Sequence, residues 1–224
     1  MDSESDEAVK VVYYPFGEMQ VQDLQKQLNV WSESEVFYLA APWFRRKYGD
    51  NIFFAAPWLK SESSSKGWKL FQVDLYGTRD SCADFYELKG QYRTWLEKLS
   101  QGIRSPEIPM QCVYYEYLLV NNCLDPDLKV ILGKFLHFGQ EMKSYTFNYM
   151  VSLRAYDKAK QAGSLKLLEN LGYGLIVVRR YDDCFEVVSP ITYKLDDATT
   201  KQRLNVLEAE LRHYGKIQKA NRKT

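Results

Sequence analysis

Residues 68–91, WKLFQVDLYGTRDSCADFYELKGQ, constrain the fold more than any other stretch of the chain. Val, Phe, Tyr and Leu alternate with polar residues on both sides of Arg79-Asp80-Ser81-Cys82-Ala83-Asp84. That is the pattern of two half-buried strands joined by a six-residue polar turn. Side chains alternate faces along a strand, so Glu87 and Lys89 project from the same side. A hairpin symmetric about Ser81 and Cys82 sets Asp74 opposite Lys89 and one diagonal step from Glu87. Two carboxylates and an ammonium then converge on one sheet face, where they can hold a divalent cation beside a phosphate.

The rest of the chain places that hairpin among alternating helices and strands. Val9 to Tyr14 suits a short strand, and EMQVQDLQKQLNVW carries a helical apolar stripe. SEVFYLAAPWFRRKYG reads as a helix capped by Ser32 or Ser34 and stopped at Gly49, with Pro42 an awkward interior residue. NIFFAAPWLK reads as one strand and KSESSSKG as a polar linker. After the hairpin, QYRTWLEKLSQG is helical. Two further helices fill about 110–140, split near Asn121-Asn122 and restarted at Asp125-Pro126. SYTFNYMVSL is a strand, RAYDKAKQAGSLKLLENLGYG a helix, and GLIVVRRYDDCFEVVSP a second hairpin turning at Asp182-Asp183. A final helix from Asp196 to about Gly215 presents Leu204, Leu207 and Leu211. This order implies an α/β chain, a central mixed β-sheet flanked by helices. Its expected parts are a lead (1–17), a core (18–195) with a helical insertion at about 110–140, and a C-terminal helix with a basic tail (196–224).

Composition narrows the chemistry. The net charge of +1 argues neither for nor against nucleic acid as a whole-molecule partner, although residues 1–7 are acidic and the tail from Lys216 is basic. Cys82, Cys112, Cys123 and Cys184 form no CxxC pair and have no neighbouring histidine, which speaks against zinc and for reduced thiols. No signal-like leader and no apolar run of about 18 residues is present, so a soluble cytoplasmic protein without a membrane partner is expected. No serine sits in GxSxG, the glycines of LGYGLIVV precede a strand instead of opening a helix, and His137 and His213 suit packing or surface roles.

An acid-x-Lys triplet occurs three times, at Glu87–Lys89, Asp127–Lys129 and Glu141–Lys143. Roughly two or three are expected by chance, so context must select among them. The Asp127 triplet lies on a helical pattern, where i and i+2 do not share a face. The Glu141 triplet has no upstream hairpin acid. Only Glu87 and Lys89 follow a strand bearing one. With VDLYG supplying Asp74 and FYELKG supplying Glu87 and Lys89, the chain resembles the PD-(D/E)XK phosphodiesterase superfamily. Val73 stands where the proline of the motif's name would be.

The resemblance implies a restriction-endonuclease-like core with the helical insertion, and a nuclease of nucleic acid whose expected substrate is DNA. It further implies Mg²⁺ (or Mn²⁺) held by Asp74, Glu87 and the Leu88 carbonyl, with Lys89 catalytic beside them. An additional acid on the first helix is expected at Glu35, with Glu33 and Glu18 as alternatives. Gln91, Tyr92 and Arg93 open the following helix and are candidates for contact with nucleic acid. The competing expectations are a solvated strand edge without chemistry, and an inactive scaffold or binding subunit of the same fold. A homodimer or a place in a larger complex is compatible with either.

Overall fold

The computed structural model describes residues 11–12, 19–20, 33–53, 58–60, 68–70, 73–90, 107–139, 141–161 and 163–221. Their strands are β1 (Val11–Val12), β2 (Met19–Gln20), β3 (Ile52–Phe53), β4 (Trp58–Lys60), β5 (Trp68–Leu70), β6 (Leu75–Arg79) and β7 (Cys82–Lys89), then β8 (Ser144–Ser152), β9 (Gly174–Arg180), β10 (Asp183–Val188) and β11 (Tyr193–Lys194). The helices are α1 (Glu33–Tyr48), α2 (Glu107–Cys123), α3 (Pro126–Phe135), α4 (Leu153–Gln161), α5 (Ser164–Leu171) and α6 (Asp197–Asn221).

One seven-stranded sheet runs β10-β9-β8-β7-β6-β3, with β11 paired to β8. The pairs β7–β8 and β8–β9 are parallel and the others antiparallel, so the sheet is mixed and the class is α/β. SYTFNYMVS forms the middle strand, and from Tyr145 onward every residue of β8 is buried, as a strand covered on both faces requires. Tyr145, Phe147, Tyr149 and Val151 meet helices α2 to α6 on one side. Met150, with Tyr86, Leu88, Ile176 and Val178, meets α1 on the other. Each such side chain removed from water contributes about 1.5–3 kcal/mol, which is what holds the layers together.

Local chemistry explains several element ends. Glu33 and Glu35 open α1 and Arg45, Arg46 and Lys47 close it, each sign placed against the favourable end of the helix dipole. Pro42 stays inside α1, and Gly49 ends it at φ +60°. Asp125 caps α3 by accepting from the Asp127 and Leu128 amides, with Pro126 in the first turn as expected.

Other expectations are corrected. Met19–Gln20 is a strand paired with Val11–Val12, not the start of a helix, and the rest of that expected helix lies outside the described residues. NIFFAAPWLK is not one strand: β3 joins the main sheet and β4 pairs only with β5. The helix expected over 154–174 is two, because Gly163 adopts φ +72° between α4 and α5. The second hairpin turns at Tyr181-Asp182, one residue early, with Asp182 at φ +57°. In the segment expected as a helical insertion, Cys112, Val113, Leu118, Leu119 and Val120 of α2 and Leu132 of α3 pack into the main core. The helix expected from QYRTWLEKLSQG lies outside the described residues.

Candidate functional site

The hairpin that carries the site is tighter than its sequence suggests. Arg79 pairs with Cys82 across a two-residue turn, and Asp80 and Ser81 both have positive φ, 49° and 62°. This is the primed turn whose twist matches that of the flanking strands. Asp84, expected in the turn, is instead a buried strand residue accepting from Tyr48 Oη at 2.6 Å and Thr146 Oγ1 at 2.8 Å. The register changes accordingly. Leu75 faces Tyr86, so the ladder extended by one residue sets Asp74 beside Glu87 instead of Lys89. A slip of two residues preserves the face of every side chain, which is why the convergence survives the correction.

Asp74 sits just before β6 begins. Its Oδ2 accepts the Leu88 amide proton at 2.6 Å, taking the place of a ladder partner at that point. Glu87 is only 2% exposed. Lys89 Nζ donates to Glu87 Oε1 at 2.7 Å and to Glu33 Oε1 at 3.1 Å. Glu33, the first residue of α1, is therefore the α1 acid bonded to Lys89. Glu35, which the sequence favours for that place, lies two residues further along α1 and is buried. Glu18, Gln91, Tyr92 and Arg93 lie outside the described residues.

Crowding of carboxylates away from water governs the electrostatics. Burial raises the Asp74 carboxyl to about 6, with the Leu88 amide and Lys89 opposing and Glu33 adding. Burial raises Glu87 to about 8, with Asp74 adding and Lys89 opposing. Burial disfavours the Lys89 ammonium, but Glu87, Glu33 and Asp74 outweigh it and push its pKa up. The cluster thus retains protons that free carboxyls would release at neutral pH.

Glu87 Oε2 is buried and accepts no hydrogen bond from the described residues, a costly condition for a carboxylate oxygen unless a proton or cation completes it. Asp74 and Glu87 are the pair able to hold a hard divalent cation, although no three His, Cys, Asp or Glu side chains among the described residues group into a metal site unaided. The other two triplets form an ordinary surface tie. Lys129 pairs with Glu141 at 2.5 Å and donates to the Leu195 carbonyl.

Helix α2 contributes residues that sequence inspection does not single out. Tyr149, paired in register with Glu87, is hydrogen-bonded to Cys112, which fixes the helix above the site. Gln111 and Tyr115 lie one turn apart on that helix, hydrogen-bonded at 3.0 Å, and Tyr115 is within electrostatic reach of Glu87, Lys89 and Asp74. Tyr115 belongs to CVYYEYLL, a run indistinguishable by composition from core aromatics. The four cysteines form no disulfide, and no helix among the described residues is long and apolar enough to cross a membrane. No family model matches the chain, and neither a curated protein nor a solved structure does so.

Proposed function

We propose that the protein is a Mg²⁺-dependent nuclease with a restriction-endonuclease-like core, hydrolysing phosphodiester bonds of nucleic acid, with DNA the first substrate to test, in the cytoplasm. The observation that carries this reading is the uncompensated Glu87 oxygen, buried beside Asp74 and adjacent to a lysine on the same strand face. Asp74, Glu87 and the Leu88 carbonyl would hold the ion, Mn²⁺ substituting for Mg²⁺. When bound, such an ion lowers the pKa of water and neutralises charge on phosphate oxygens. Lys89 holds a positive charge beside the reacting phosphate and orients the attacking water. Glu33 keeps the ammonium over the site by sharing it with Glu87. Gln91, Tyr92 and Arg93 are the proposed further contacts to nucleic acid.

A second reading is a scaffold or nucleic-acid-binding subunit without hydrolysis. It is favoured by the neutralisation of Lys89 between two carboxylates and by the want of a third acid ligand among the described residues. Incubation with linear, circular and single-stranded DNA and with RNA, in Mg²⁺ or Mn²⁺, separates the two. Metal-dependent cleavage absent from Asp74→Ala and Lys89→Ala supports the nuclease. Cleavage that both variants retain removes this site from the chemistry, and inertness toward every substrate leaves the scaffold.

A further inference from the structure

Each of the three parallel strands runs out at a cation. Lys89 is the last residue of β7, Arg179 and Arg180 are the last two of β9, and Arg154 follows β8 in the first turn of α4. Asp74 precedes the antiparallel β6, so the acids share this carboxyl edge of the sheet, the edge at which open α/β sheets receive ligands. Register fixes the spacing. Lys89 pairs with Val151 and Val151 with Val177, so Arg179 lies two strands across and two residues beyond Lys89. At about 4.8 Å per strand and about 3.3 Å per residue, their Cα atoms are about 12 Å apart. Val151 and Val177 are buried in the main core. A chain passing from Lys89 to Arg179 must therefore run over the edge, past Arg154, and not across the sheet face.

The far end of this line is open to water and charged. Arg179 and Arg180 are 55% and 74% exposed, and Arg154 is exposed as well. Both β9 arginines engage one carboxylate, Asp183, through Nε, at 2.7 and 3.2 Å. A guanidinium held by Nε keeps its Nη groups for a second oxyanion. Beside them Arg46 pairs with Asp182, so three cations meet two acids at the hairpin tip. The Arg179 guanidinium also lies over the Phe185 ring, 6.0 Å from its centroid.

We propose that Arg154, Arg179 and Arg180 form a phosphate track that carries one nucleic-acid strand away from the metal site, over the carboxyl edge of the sheet. This track rests on the nuclease reading and extends the substrate beyond the scissile phosphate. Arginine suits it, because the planar fork grips phosphate oxygens in pairs.

The test uses the full chain and a fluorescein-labelled single-stranded oligonucleotide, its binding followed by anisotropy in EDTA over a range of salt and its cleavage in Mg²⁺. For single strands each phosphate contact contributes about −0.7 to the slope of log K against log[salt]. The triple variant Arg154→Gln, Arg179→Gln, Arg180→Gln should therefore flatten the slope by about 2 and raise Kd about 10-fold or more. Its KM should rise in step with Kd while kcat stays, since only uniform binding is lost. The double variant Lys143→Gln, Lys194→Gln removes two exposed cations from the opposite edge, where β11 pairs with the start of β8, and should change neither Kd nor slope. An unchanged slope in the triple variant, an equal loss in the double variant, or a fall in kcat at constant KM overturns the track and leaves the nuclease standing. Should the triple variant melt far below wild type, Arg180→Gln alone decides, with a slope change of about 0.7 expected and none overturning the track. A wild-type protein that binds through the three arginines but cuts nothing removes the nuclease reading and leaves the track. One that neither binds nor cuts removes both.

Discussion

The Asp74 carboxylate accepts the Leu88 amide proton at 2.6 Å, fastening the first acid of the site to the strand that carries the second acid and the lysine. Sequence-remote groups are thereby held at a separation set by one backbone hydrogen bond and one hairpin. Asp74→Asn keeps the size but can turn an amide N–H toward the Leu88 donor. Cleavage should fall about 100-fold or more, in line with loss of a charged group acting on the transition state. The circular dichroism spectrum should stay native. Glu33→Gln, by contrast, removes a carboxylate that is about one-third exposed (37%), and should cost less than about 10-fold. Equal losses in the two variants would contradict the division of roles.

A second ion pair holds α6 to α2, away from the Asp74–Glu87–Lys89 cluster. Arg203 meets Glu116 through two bonds, at 2.6 and 2.7 Å, while Tyr145 and Tyr173 donate to the same carboxylate. Glu116 is fully buried, so removing its cation strands a charge. Arg203→Met should destabilise the fold by about 3–5 kcal/mol, read from urea unfolding, whereas Arg203→Met with Glu116→Gln should recover part of the loss. A double variant no more stable than the single one would deny that the stranded charge is the cause.

Gly77 is required by a close approach and not by its backbone angles. A Cβ there would lie 2.6 Å from the Tyr48 ring, whose hydroxyl bonds Asp84 and contacts Tyr86. Gly77→Ala should push the ring off the sheet and cost about 1–3 kcal/mol, the usual penalty for overpacking. Combining it with Tyr48→Ala should cost less than the two changes separately, since the clash is then absent. Thermal melting of the four proteins decides the point.

The sequence made the sheet legible where alternation or continuous burial was strong, as in β7, β8 and β9, and where a cap was explicit, as at Asp125-Pro126. It concealed the length of the first turn. Asp80 and Ser81 are polar, but so are Arg79, Cys82 and Asp84, and nothing in composition shows that Asp84 finds Tyr48, Thr146 and Arg79 in the interior. The face of the acids survives that error only because the slip is even. Glu33 and Glu35 are equivalent until the rotation of α1 is known. Gln111 and Tyr115 depend on how α2 crosses the sheet, a tertiary fact with no local signature.

Protonation offers a test that needs no substrate. Burial sets the folded Asp74 at about 6 and Glu87 at about 8, above their ordinary values of 3.8 and 4.5. Between about pH 4 and pH 8 the folded chain holds protons that the unfolded chain has released. The contribution to stability is therefore fully present below about pH 4 and lost as pH rises through 6 and then 8. A tenfold difference in proton affinity between the folded and unfolded chains is worth about 1.4 kcal/mol, so the metal-free melting temperature should decline measurably over that window. Lys89 stays charged throughout and adds no slope there. Glu87→Gln should flatten the decline. Cation binding requires the deprotonated acids, so millimolar Mg²⁺ should raise the melting temperature little at about pH 5 and clearly at about pH 8, releasing protons as it binds. A Mg²⁺ effect equal at both pH values, or unaltered in Glu87→Gln, would place the cation elsewhere on the protein.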